Sequence, residues 1–234
     1  MNEKTSHRIF ATFKADDASH VMTHNEKMAI IWQFINPNKY WHKEEQKPYV
    51  WNIEVRSGGL FTLMFASIHQ KDVDHVEEAL SGIPDAHFEM PNYKSGYTIL
   101  SVRRLGDVDT SKDYIRLTSM NGCQCFCRKT NYKNNRKKYF KFISAKETPE
   151  EFAKRIRAGL LRRVKAFYGE TVDEKDVRIS FVEETKPVER IRYKTGNILT
   201  QFVTFKLTAP RIVQEAALYG GIGKEPSSGF GFVV

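Results

Sequence analysis

From Arg8 to Leu105 the apolar residues switch between a two-residue and a 3.6-residue period, and the order of the switches admits few folds. Arg8 to Lys14 alternates as a short strand does. Ser19 to Ile35 is helical, with Met28, Ile31, Trp32 and Ile35 on one face, and Asn36-Pro37-Asn38 ends it. Pro48 to Arg56 and Leu60 to Ile68 read as strands joined by a tight turn at Ser57-Gly58-Gly59. A helix from Lys71 to Leu80 stops at Ser81-Gly82 and Pro84, and a strand from Tyr97 to Leu105 completes the set. The order β-α-β-β-α-β predicts a ferredoxin-like unit.

The remaining chain has room for a second unit, since 234 residues suit two domains of roughly 100 residues each. The polar, turn-rich stretch Gly106 to Asp113 marks the boundary, giving domains over residues 1–108 and 109–234. Strands at Cys123 to Lys129 and Lys138 to Ser144 flank a basic turn. Thr148-Pro149-Glu150-Glu151 is a strong helix start, with a capping Thr, Pro at the first position and Glu at the third. That helix runs to about Tyr168. Strands near Val177 to Glu183 and Leu199 to Leu207, a short helix from Pro210 to Tyr219, a glycine-rich loop and a last strand follow. The fold class expected is α+β, two tandem ferredoxin-like (βαββαβ) domains with a C-terminal glycine-rich loop.

The net charge of +9 is unevenly placed. Between Arg128 and Tyr168 there are 14 Lys and Arg against 3 Glu, so this segment holds the whole positive surplus. Such a density favours a polyanion, because each phosphate neutralised releases condensed counterions. A solvated basic surface without a partner is the alternative. Neither a membrane span nor a signal peptide is visible, and a cytoplasmic location is expected. Cys123, Cys125 and Cys127 lack the second ligand pair of a zinc site; they read as one face of a strand, and neither a metal nor a cofactor is expected.

The densest motif runs from Gly220 to Phe232, with Gly221, Gly223, Gly229 and Gly231 around Lys224. Glycines at this spacing let the chain pass close to another backbone or to a phosphate. The dinucleotide fingerprint is excluded because a helix precedes these glycines instead of a strand. A P-loop is excluded because no Gly-Lys-Ser/Thr occurs. Tight packing against a helix remains the plain alternative.

A short helix, then G-I-G-x-x-x-x-x-G-F-G and a terminal strand, resembles the signature of the RAMP superfamily of CRISPR RNA-binding proteins, and among these the repeat-processing endoribonucleases of the CasE branch. The strand Gln201 to Leu207 with Ala209-Pro210, the segment Phe126 to Asn131 and Trp32-Gln33-Phe34 are similar to further stretches of that family. The resemblance implies two ferredoxin-like domains. It also implies metal-independent cleavage by 2′-OH attack with a 2′,3′-cyclic phosphate product, a CRISPR repeat RNA hairpin as partner, and residence in a larger effector complex. The chain departs from the family where CasE-type enzymes carry a Tyr-x-x-His pair: Asn25 and Met28 hold those places.

RNA contacts are expected from Lys154, Arg155, Arg162 and Lys165, opposite an apolar stripe of Phe152, Ile156, Leu160, Val164 and Phe167. Arg128, Lys129, Lys133, Arg136, Lys137 and Lys138 around the basic turn form a second candidate surface, and the glycine loop with Lys224 a third. Metal-free cleavage needs a proton acceptor, a proton donor and a cation for the charged phosphorane. Tyr40, His42, Lys43 and Lys47 offer these groups within one loop, with His42 the first choice for proton transfer and His24 the second. Two rivals stand beside this reading: a non-catalytic guide-RNA-binding RAMP protein, and a general basic RNA-binding protein.

Overall fold

In the computed structural model, strand β1 (Arg8–Ala15) buries Ile9, Ala11 and Phe13 completely, as its alternation requires. The structure describes residues 6–35, 47–120, 123–124, 127–130, 139–142, 149–182, 189–193, 196–223 and 226–234. Helix α1 (His24–Ile35) starts at His24 and not at Ser19. Asp17 takes the Ser19 N–H and hydroxyl into a local turn, and Thr23 Oγ1 caps the helix by accepting the Glu26 N–H at 3.2 Å.

Strands β2 (Tyr49–Val55) and β3 (Leu60–Ser67) are joined by the expected turn, and helix α2 (Gln70–Ser81) follows. Next come β4 (His87–Met90), which the sequence reading left out, and β5 (Ser95–Arg104). The five-stranded sheet has the order β2-β3-β1-β5-β4, with every described pairing antiparallel. Without β4 it is the ferredoxin-like arrangement. β2 is therefore an edge strand, a placement on which the candidate site depends.

The second unit opens with β6 (Tyr114–Thr118), earlier than the sequence reading placed its first strand. Next come β7 (Cys123–Gln124), β8 (Cys127–Thr130), β9 (Tyr139–Phe142) and helix α3 (Pro149–Tyr168). Strands β10 (Arg178–Phe181), β11 (Glu189–Tyr193), β12 (Gly196–Gln201) and β13 (Thr204–Thr208) lead to helix α4 (Arg211–Gly220). The sheet β10-β13-β6 gains a fourth member from the chain end. Thr118 and Val234 exchange backbone hydrogen bonds at 2.9 and 3.0 Å, and Met120 N–H donates to the Phe232 carbonyl at 2.9 Å. The order β10-β13-β6-tail repeats β2-β3-β1-β5, so the two units share one topology.

The strand expected at Leu199 to Leu207 is broken at Phe202-Val203, where the Val203 N–H turns to the Ser119 hydroxyl at 2.8 Å. Cys123 pairs with β12 and Cys127 with β9; Cys125, and with it the expected continuous cysteine-bearing strand, lies outside the described residues. Among the described residues no helix is long and apolar enough to cross a membrane, and no group of three His, Cys, Asp or Glu could hold a metal.

Candidate functional site

Successive residues of β2 point to opposite faces of its sheet, and the loop after α4 grips both. Val50 packs against Gly221 on one side; a Cβ on that glycine would lie 2.7 Å from the valine Cγ2. Trp51 packs against Gly229 on the other, and its indole N–H donates to the Ser227 carbonyl at 2.8 Å. Gly231 passes over the Ile222 backbone, whose N–H donates to its carbonyl at 2.9 Å. Phe230 and Phe232 are fully buried. The loop therefore straddles the edge strand of the sheet and ties the second unit to the first. Gly221, Gly229 and Gly231 are buried in this clasp, and Gly223 is half-buried.

His24, at the first position of α1, completes it. Its ring lies 4.9 Å from Phe230 and 6.0 Å from Trp51, nearly parallel to both. Nε2 is 3.0 Å from the Ser228 carbonyl, which can only accept, so this nitrogen carries the proton and donates. Burial lowers the His24 pKa to about 4, against a smaller opposing effect of the Ser228 hydrogen bond. At neutral pH His24 is uncharged and stacked within the clasp.

The folded state binds this proton less readily than the unfolded chain. His24 therefore stabilises the fold fully above about pH 6.5 and loses that contribution as the pH falls towards 4, by on the order of 3 kcal/mol. Urea unfolding across that range is expected to show this slope in the wild type and a shallower one in His24→Gln. Equal slopes would remove His24 as the cause.

Helix α3 runs over all of Pro149–Tyr168, and Phe152, Ile156, Leu160 and Val164 are buried as its stripe requires. Lys154, Arg162 and Lys165 are exposed, Arg155 is half-buried, and Phe167 is only partly covered. Lys154 and Lys165 stand about 16 Å apart along the axis, enough to follow several nucleotides. One cation breaks the pattern: Arg163 falls inside the apolar stripe and is 7% exposed. It donates to the Gly223 carbonyl at 3.3 Å, and Gly220 leaves room for its side chain. Arg163 thus anchors the first limb of the glycine loop to α3. Its place in the stripe was the available signal, because a buried guanidinium demands an acceptor.

Other expected residues fall elsewhere. Lys47 is half-buried, two residues before β2. Tyr40, His42 and Lys43 lie outside the described residues, as do Lys133, Arg136, Lys137, Lys138 and Lys224. Arg128 and Lys129 are in β8, paired with Lys141 and Phe140 of β9. Asn25 is exposed and Met28 half-buried on α1. His7 stacks on Tyr219 at 4.6 Å, His69 meets Phe167 edge-on, and His87 lies 3.0 Å from Asp16, so these three hold structure. Lys27, which no sequence motif marks, follows His24 by one turn of α1.

Two ferredoxin-like units, a glycine loop clasping the edge strand of the first and a helix with an exposed cationic face rooted beneath that loop define a class of tandem βαββαβ protein. Residues 119–234 match the family model described as "CRISPR associated protein Cas6, C-terminal". The whole chain has the fold of solved Cas6 and RAMP proteins. A Cas6-related protein from Pyrococcus furiosus superposes with a TM-score of 0.79 at 15% identity, over 98% of each chain. A structure described as a RAMP protein binding different RNA substrates gives 0.76 at 15% identity, over 97% of this chain and 98% of its own. A Cas6 product complex gives 0.64 at 14% identity, over 98% and 99%. The matches are to Cas6 at large and do not single out the CasE branch. No curated protein sequence matches the chain.

Proposed function

We propose that the chain is a metal-independent endoribonuclease that binds the stem-loop of CRISPR repeat RNA, cuts at the 3′ base of the stem and keeps the product. The observation that carries this reading is the Cas6 C-terminal match over residues 119–234, on a fold whose exposed Lys154, Arg162 and Lys165 share one face of α3. The working division is a histidine-bearing unit over residues 1–108 and an RNA-gripping unit over 109–234. In the reaction the 2′-oxygen attacks the adjacent phosphorus and the bond to the 5′-oxygen breaks. One group takes the 2′-OH proton and another supplies a proton to the leaving oxygen, giving a 2′,3′-cyclic phosphate and a 5′-hydroxyl. No electron or cofactor is required.

His42 is the residue assigned to proton transfer, with Tyr40 and Lys47 close to it in the sequence. The acidic pKa of His24 and its hold on Ser228 support a clasping role for that second histidine. The complex partners are other subunits of a CRISPR effector assembly in the cytoplasm. A labelled repeat hairpin incubated with the protein in EDTA is expected to be cut once, while an unrelated stem of equal length is left intact. Stable binding without product would favour the non-catalytic RAMP reading, which draws its support from Asn25 and Met28 on α1.

Charge reversal at Arg162 and Lys165 should weaken binding and flatten the plot of log affinity against log salt by roughly one unit per lost phosphate contact. A filter-binding series from low to moderate salt reads this directly. An unchanged slope would place the RNA away from α3.

A further inference from the structure

Helix α1 buries Glu26, Ile30, Ile31, Phe34 and Ile35, which at about 100° per residue cover roughly half of its circumference. Lys27 falls in the middle of that arc. It is half-buried, and its ammonium donates at 2.7 Å to the backbone carbonyl of Ile53, on the edge strand β2. Among the described residues no carboxylate reaches it. Glu26, its neighbour, is turned away and accepts from His20, Ser95 and Tyr97. Glu54, next to Ile53, pairs with Arg56 at 3.3 Å. Burial lowers the Lys27 pKa, and nothing opposes that effect.

A cation kept this close to the core with one neutral partner is a liability for folding alone. Its surroundings supply the missing purpose. His24 precedes it by one turn, and residues three apart on a helix are surface neighbours. His24 in turn holds the glycine loop at Ser228, so Lys27 stands near the seam between α1, the edge of β2 and that loop.

We infer that Lys27 is a phosphate-binding residue, which takes a phosphodiester oxygen of an RNA strand lying along the seam between α1 and the glycine loop. The proposal rests on the RNA-processing reading for the source of the phosphate, and it adds a contact in the N-terminal unit to those on α3. The ammonium keeps its hydrogen bond to Ile53 and directs a remaining N–H to the phosphate. A partly desolvated cation meets that charge at low local dielectric, where the attraction exceeds that of a surface lysine.

The test uses the full chain and a repeat hairpin with a 2′-deoxy group at each candidate cut position, so that binding is read whether or not the protein cuts. Lys27→Met keeps the length of the side chain and removes its charge. It is expected to melt at or above the wild-type temperature, to bind roughly tenfold more weakly near 0.1 M salt, and to lose about one unit of salt slope. Lys27→Arg is expected to recover most of that slope. An unchanged slope in Lys27→Met overturns the proposal, and so does a fall in melting temperature that accounts for the weaker binding. Wild-type protein that binds this hairpin but leaves the unmodified one uncut would end the endoribonuclease reading and leave the Lys27 contact standing.

Discussion

Gly229→Ala is expected to cost the protein about 3 kcal/mol or more and to release the glycine loop from β2. Gly229 has φ +82°, in the left-handed region where a side chain is strained. Its Cβ would also stand 2.6 Å from the Trp51 ring. That ring cannot retreat, because Trp51 is 1% exposed and its N–H is held by Ser227. Relief has to come from the loop, which would carry Ser228 away from His24 and Phe230 out of its stack. Chemical denaturation reads the loss. Gly106→Ala is the control, since a Cβ there meets nothing within 4 Å and its φ is outside the left-handed region; it should stay within about 0.5 kcal/mol of wild type. A Gly229→Ala protein as stable as that control would mean that the clasp contributes nothing.

His42→Ala is expected to reduce single-turnover cutting by at least about a thousandfold while leaving hairpin affinity within a few-fold of wild type. The size follows from removing a proton-transfer group, which is worth roughly 10² to 10⁴ in rate. Affinity is spared because the cations of α3 and Lys27 are untouched. His24→Gln provides the contrast. It is expected to lower stability and blunt the acid dependence, with cutting reduced only as far as the loop is loosened. Full activity in His42→Ala, with activity lost in His24→Gln under conditions where that variant is folded, would exchange the two roles.

The first unit was readable because β1, β2, β3 and β5 are each at least seven residues long and the two helices have recognisable stops. β4 was not, since four residues between prolines 84 and 91 carry too little pattern for a period. β6 could have been found: Tyr114 to Thr118 alternates exposed and buried throughout, but it sits directly after the turn-rich boundary and was absorbed into it. α3 agreed with its capping signal at both ends, yet Arg163 was hidden by being counted with the basic residues instead of being placed on the stripe. The glycine motif was visible as a motif, while its local purpose was not. The partners Val50 and Trp51 lie far away in sequence, and only tertiary contact reveals which glycines are spent on packing. The same distance made His24 resemble a surface histidine when its ring is enclosed by Phe230 and Trp51.

The central claim is that this protein uses the RNA's own 2′-hydroxyl, without a metal, to cut the repeat hairpin it holds. Single-turnover reactions in EDTA, with end-group analysis of the fragments, address it directly. The expected result is one cut at the 3′ base of the stem, a 2′,3′-cyclic phosphate on the upstream fragment, and no cut when that nucleotide is 2′-deoxy. A hairpin left whole in the presence of bound protein, or a deoxy substrate cut equally well, would contradict it.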